Sequence, residues 1–263
     1  MKNIIKILVI IFLFFLGQNS FAQSQGIIVE YNEFFDTDRP VEMKGFLYAT
    51  PSGSIYEEDL SSRKRLKEPT ILPENESIKT IVIPPLVSEN EIYNIDFESN
   101  IVKTFGWIIA DNKSKITDKV VINWELINEK KLIDGIECYK ATAYFRGRNW
   151  EAWYAPSIPY SAGPMKFHGL PGLIIEISDE TKRYNFAATK IEYFKDSAYQ
   201  KQLDKFQSIS YNQEQTLMEF VKERDEVREN GLANMGSRGA KIISQLSQKR
   251  NGMELIYEWE ESK

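Results

Sequence analysis

The chain alternates apolar and polar residues over most of its length. From Gly26 to Phe35, Ile27, Val29 and Tyr31 share one parity, the pattern of a half-buried strand. Gly45 to Ala49 and Ser54 to Tyr56 read as a strand pair around Pro51-Ser52-Gly53, a turn signal. Glu57 to Glu76 is charged and broken by Pro69 and Pro73, which predicts a surface loop. Further strands are predicted over Ser77 to Ile83, Glu91 to Phe97, Lys103 to Ala110 and Val120 to Leu126. Glu137 to Phe145 and Trp150 to Ala155 form the clearest hairpin. Its predicted turn is Arg146-Gly147-Arg148-Asn149, where Gly and Asn supply the positive φ a tight hairpin needs. Pro156 to Gly172 is a long Pro/Gly-rich loop, and such loops are often functional. Strands over Leu173 to Ile177 and Tyr184 to Tyr193 follow.

Near the C-terminus the period changes. Asn212 and Gln215 form a capping pair, Leu217, Phe220, Val221 and Val227 fall near helical spacing, and Gly231 stands at the expected stop. A second helix is predicted over Ala240 to Lys249. Met253, Leu255, Tyr257 and Trp259 then alternate with Glu254, Glu258 and Glu260, which predicts a half-buried closing strand. The fold class is α+β, mainly antiparallel β: a curved sheet or half-barrel with two late helices packed on it. No repeat or domain boundary interrupts residues 23–263, which read as a single domain.

The N-terminus changes the expected location. Lys2 and Lys6 precede an apolar run from Ile7 to Leu16, and Ser20-Phe21-Ala22 supplies a small-residue cleavage site. Residues 1–22 therefore read as a signal peptide cleaved after Ala22, and the protein as periplasmic or secreted. The run is shorter than the ~20 residues of a spanning helix. No Cys follows it, so a lipoprotein anchor is not expected, and nothing later is apolar enough to span a membrane. Removing the two lysines moves the formal charge from -5 to -7. An acidic chain of this kind argues against a nucleic-acid partner. Cys138 is the single cysteine, in a strand-like setting that reads as buried.

One segment is specific. Gly163-Pro164 and Gly169-Leu170-Pro171-Gly172-Leu173-Ile174 are joined by Trp124-Glu125-Leu126, Ile133 to Ala141, Phe145 to Arg148, Ala152 to Ala155 and Ile158-Pro159. Together these pieces resemble the GLPGLI family of bacterial envelope proteins. Asn251-Gly252-Met253-Glu254-Leu255 resembles the Asn-Pro-Ile-Glu-Leu segment of many members, with Gly252 in place of proline. The resemblance implies an envelope protein of Bacteroidota-type bacteria, of a family without an assigned function, whose members often occur beside genes for TonB-dependent outer-membrane proteins. The strands and late helices also look like the half-barrels of lipoprotein-carrier proteins, an analogy of fold alone. Physically, Leu170-Pro171-Gly172-Leu173 fits a type II turn, with Pro171 presetting φ and Gly172 accepting a positive φ. The motif reads first as a rigid plug completing the core; presented by it, Lys166 and His168 could act in a site.

Candidate chemistry is sparse. His168 is the single histidine, so no catalytic triad, His-Glu-x-x-His zinc motif or second imidazole ligand is available. No Cys-x-x-Cys or phosphate-binding loop occurs, and no cofactor or metal is expected. Glu137, Glu151 and Glu176 lie in predicted strands without a spacing that singles out a catalytic pair. Arg146, Arg148, Trp153 and Tyr154, with His168, form the binding candidate: guanidiniums beside aromatics can hold a carboxylate or phosphate and stack flat groups. The reading is a non-catalytic binding or accessory protein for an apolar or peptide-like ligand, or for an outer-membrane TonB-dependent partner. A carboxylate-dependent hydrolase and a structural envelope component are the alternatives.

Overall fold

A computed structural model of the protein describes residues 26–37, 40–66, 89–108, 112–194, 197–237, 250 and 252–260. The predicted signal peptide, the strand over Ser77 to Ile83 and the helix over Ala240 to Lys249 lie outside these residues. In chain order the strands are β1 (Gly26–Phe35), β2 (Val41–Ala49), β3 (Gly53–Arg65), β4 (Ile92–Asp96), β5 (Ile101–Trp107), β6 (Lys113–Lys119), β7 (Glu125–Ile133), β8 (Ile136–Phe145), β9 (Arg148–Ala155), β10 (Leu173–Asp179) and β11 (Tyr184–Phe194). Helix α1 (Ala198–Ser208), strand β12 (Gln213–Thr216) and helix α2 (Leu217–Ser237) follow. The twelve strands form one open sheet in the order β12-β6-β5-β4-β3-β2-β1-β11-β10-β9-β8-β7, antiparallel throughout except for the β12–β6 pair. The expected mainly antiparallel sheet is what the chain builds, with α2 the one of the two expected helices among the described residues.

The period-two readings hold where one face is buried. β1 spans the predicted residues, and Ile27, Val29 and Tyr31 are fully buried. Three segments differ from expectation. Glu57 to Arg65 continues β3 rather than starting a loop, because β2 supplies its partners out to Val41↔Arg65. β7 begins where the predicted strand was to end. It is an exposed, charged edge strand with an irregularity between Ile127 and Lys130, so its sequence carries no clean alternation. Residues 253–259 form no strand. They are held by turns and by Arg146, whose carbonyl accepts from the Leu255 and Ile256 amides.

The helices also shift. The N-terminus of α2 is capped one turn later than predicted. The Thr216 amide and hydroxyl donate to Glu219, and the Glu219 amide donates back to Thr216 Oγ1, a reciprocal capping box. Gly231 does not stop α2, which continues to Ser237. α1 was not foreseen; it buries Phe206 against Ile55, Ile92 and Phe105.

Register separates two faces. Tyr56 pairs with Leu47 and Tyr93, and these side chains join the main core with Tyr31, Ile95 and Val102. Ile55 and Ile92, of the opposite parity, face α1. The loop from Pro156 to Gly172 seals the first face as a plug. Ile158, Tyr160, Ala162, Phe167 and Leu170 are buried in the main core, and the Phe167 ring lies 4.5 Å from that of Trp150. The Tyr31 hydroxyl donates to the Ile174 carbonyl at 2.6 Å and the Trp124 indole to the His168 carbonyl at 2.8 Å.

The turn at the motif's centre is tighter than a type II turn. The Gly172 amide donates to the Leu170 carbonyl at 2.8 Å, a three-residue turn about Pro171. The Leu173 amide donates instead to Ile158. Gly172 has φ +154°, and a Cβ there would overlap the Ala155 carbonyl and lie 2.9 Å from Pro156 Cα. Gly172→Val is therefore expected to lower stability by about 3 kcal/mol, from backbone strain plus overpacking. Thermal unfolding checks this; an unchanged melting temperature would refute the seating of the plug.

Candidate functional site

The β8–β9 hairpin turns in two residues, with φ +49° at Arg146 and +84° at Gly147, and pairs Phe145 with Arg148. Positive φ at both positions is the type I′ signature. It falls on Gly147, as predicted, and on Arg146 in place of Asn149. The consequence is chemical: the Arg146 side chain is carried under the C-terminal segment, and its relative side-chain exposure is 1%.

Arg146 makes four hydrogen bonds to carboxylates. Nη1 and Nη2 fork onto Asp118 of β6 at 2.8 and 2.7 Å, Nη1 also reaches Glu254 at 2.6 Å, and Nε reaches Glu258 at 3.0 Å. Lys166, from the plug, donates to the same Asp118 at 3.0 Å and Glu254 at 2.9 Å. Burial alone would push both carboxyls up, but the Lys166 and Arg146 charges hold Asp118 and Glu254 below the ordinary carboxylate range. Burial likewise opposes the charge on Lys166, and Glu254 and Asp118 outweigh it, raising its pKa. Arg148 clamps the same segment, donating to the Met253 and Gly252 carbonyls and to buried Asp179.

Both arginines of the candidate site are thus engaged by internal partners. The other members disperse. Trp150, Ala152 and Tyr154 are buried on β9, whereas Trp153 points to the other face, with Lys131 Nζ 4.4 Å from its ring centroid. His168 is buried, stacks on Phe97 and contacts the Lys166 carbonyl through Nδ1 and Asn100 through Nε2. Burial lowers its pKa. A neutral ring satisfies both contacts with Nδ1–H donating to the carbonyl and the Asn100 amide turned to donate to Nε2. Cys138 is buried, and burial pushes its thiol up to about 11. Gly163, Pro164 and Gly169 to Ile174 build the plug.

Sequence reasoning missed the concavity beside the network. A cavity of about 380 Å³ opens between the sheet, the plug, α2 and the C-terminal segment. Its lining includes Tyr93, Phe145, Trp150, Phe167, Phe220 and Tyr257. Glu91, Lys166, Arg224 and Glu254 bring charge to it. Deeper on the same face as Tyr56, Glu33 is fully buried, accepts from the Tyr56 hydroxyl and leaves Oε2 without a partner among the described residues. Burial raises Glu33 to about 8 and Glu58 well above the carboxylate range, with Glu91 adding to both.

Residues 145–176 match a family model. Its description is protein of unknown function (Porph_ging), and the match takes in the hairpin turn, the plug and the Gly169–Ile174 motif. The family is Bacteroidota-associated. No curated protein matches the chain. Two crystal structures of PNGF-II, in space groups C2 and P21, superpose with TM-scores of 0.51 and 0.52 at 15% and 14% identity. Each match covers 78% of this chain and 34% of that one, so the chain spans about a third of their length, and the likeness is one of fold. An outer membrane lipoprotein-sorting protein domain from Vibrio parahaemolyticus matches at 5% identity over 70% of this chain and 92% of that one. Its TM-score of 0.25 carries no argument. No helix among the described residues is long and apolar enough to cross a membrane.

Two outcomes follow from the electrostatics. Arg146→Met leaves Asp118 and Glu254 short of a partner and is expected to cost about 3–5 kcal/mol. Denaturant unfolding measures the loss, and faster proteolysis within residues 252–260 reports the released segment. The pH profile has two limbs. Folded Glu33 keeps its proton to about pH 8, while the unfolded chain releases it near 4.5, so stability declines as pH rises between those values. Ionised Asp118 and Glu254 stabilise the fold above the ordinary carboxylate range, and that contribution is lost as pH falls through their depressed values. Melting temperatures across pH should peak in mild acid, and Glu33→Gln should make the alkaline limb shallower, with Glu58 supplying the remainder, and leave the acid limb unchanged.

Proposed function

We propose that this chain is a periplasmic or secreted, non-catalytic binding protein that holds a small apolar or peptide-like molecule in the cavity between sheet, plug and α2. The observation that carries this reading is the cavity itself: a volume of about 380 Å³ walled largely by aromatic rings. That lies within the ~300–1,000 Å³ range of small-molecule sites. The nearby Arg146, Lys166, Asp118 and Glu254 are paired with one another. Paired, they brace the wall and are poorly placed to act as nucleophile, acid or base. His168, the one imidazole, is buried with both nitrogens engaged. The signal-like N-terminus supports an envelope location, where an outer-membrane TonB-dependent protein would be the natural partner for delivery.

A carboxylate-dependent hydrolase is the second reading, favoured by the raised pKa of Glu58 beside Glu91. Glu58 is buried and does not line the cavity, so the binding reading is preferred. A purely structural component would have a filled sheet interior, and the cavity speaks against it.

The neutral fluorophore Nile red tests the binding reading. Wild-type protein should bind it with a blue-shifted emission, and Met253→Trp, which fills the cavity from the C-terminal segment, should weaken binding about tenfold with little change in melting temperature. Absence of binding by the wild type, or equal binding by the variant, would overturn the assignment.

A further inference from the structure

Two charged groups on the cavity wall differ from the rest. Among the described residues, Lys166 and Glu254 are neutralised within the Arg146 network at 2.6–3.0 Å. Arg224, on α2, meets its neighbour Asp225 only at 3.4 Å and hydrogen-bonds the Tyr257 side chain. That carboxylate is already held by Arg250 at 2.6 Å and is also approached by Arg228 at 3.6 Å. Arg250, which also forks onto Glu260, holds the Asp225 carboxylate more closely than Arg224 does, and of the two it is Arg224 that lines the cavity. On the sheet side, Glu91 also lines the cavity. It accepts from the Tyr93 hydroxyl at 2.6 Å and has no Lys or Arg partner among the described residues. A guanidinium with only a long contact to its own carboxylate and a carboxylate without a Lys or Arg partner among the described residues therefore face one aromatic-walled space.

We infer that the cavity takes a zwitterion with an apolar body, an apolar amino acid or short peptide, whose carboxylate meets Arg224 and whose ammonium meets Glu91. This deepens the binding reading and rests on it. A guanidinium is suited to a carboxylate because its planar fork matches the two oxygens, and a carboxylate suits a compact ammonium. The rings of Phe145, Trp150, Phe167 and Phe220 supply the contact for the apolar side chains. A singly charged ligand would leave one of the two wall charges without a counter-charge from the ligand, and an uncharged one would leave both, so the pair also discriminates.

Isothermal titration with the free dipeptide Leu-Phe, its N-acetyl form and its C-terminal amide tests the assignment, with Nile red displacement as a parallel readout. The free dipeptide should bind about tenfold or more tightly than either blocked form, since each block removes one charge-assisted contact. Arg224→Gln should erase the difference between acid and amide while retaining that between amine and acetyl, and Glu91→Gln should do the reverse. Blocked and free peptides binding equally, with Nile red still bound, would overturn the zwitterion assignment and leave the binding reading standing. Failure of both peptides and Nile red to bind would overturn both. Each glutamine variant's melting temperature, compared with wild type, separates lost recognition from lost folding.

Discussion

The burial of one guanidinium organises this molecule. Arg146 sits at a hairpin turn, in a left-handed conformation that costs an L-residue roughly 1 kcal/mol. Turn tips are ordinarily solvated, and a buried guanidinium without partners would be far more costly than the turn itself. Its carboxylate partners come from β6 and from the segment after residue 252, and the plug adds Lys166 to the same pair of acids. Four parts of the chain, remote in sequence, converge because none of these charges is stable there alone. The segment 252–260 has no strand pairing of its own among the described residues. Its position follows from the hydrogen bonds that Arg146 and Arg148 give it.

The plug solves a different problem. A wide sheet with one face on α1 and part of the other on α2 leaves a stretch of apolar surface uncovered. Pro156 to Gly172 covers it with side chains rather than with regular structure, and its backbone finds partners locally: Ala162 with His168, Ile174 with Ala162, Leu173 with Ile158. Buried irregular backbone is tolerable only when its polar groups are satisfied in this way. Glycine at 172 permits the close approach to Ala155, and His168 closes the far end as a hydrogen-bonding spacer. The family match falls on residues 145–176, the stretch that contains both the turn and the plug.

What the sequence disclosed follows from what period two encodes. β1 was legible to the residue because one face is dry and the other wet. β7 was not, since an edge strand exposed on both faces has nothing to alternate against. The pattern over 253–259 was misleading for a chemical reason. The acids assigned to the solvent side include Glu254, which turns inward to Arg146 and Lys166. A carboxylate reads as a surface residue until its cation is known, and these cations lie 108 and 88 positions away. For the same reason Arg146, Arg148 and His168 were recognisable as unusual, while their internal partners were not. The plug was legible as a plug because proline and glycine state their backbone demands locally.

The cavity belongs to the part that no local pattern encodes. It arises where α2 and the C-terminal segment approach the sheet without interdigitating with the plug. Had segment 252–260 been held by apolar packing alone, contact would have drawn it down onto Trp150 and Phe167 and closed the space, since dispersion rewards the densest arrangement. Hydrogen bonds donated by Arg146 and Arg148 instead fix it at the distance their geometry dictates. Polar anchoring at the rim with aromatic walls beneath is a way to close over a space without filling it. That combination ties a buried charge network to the aromatic-walled cavity proposed to receive a second molecule.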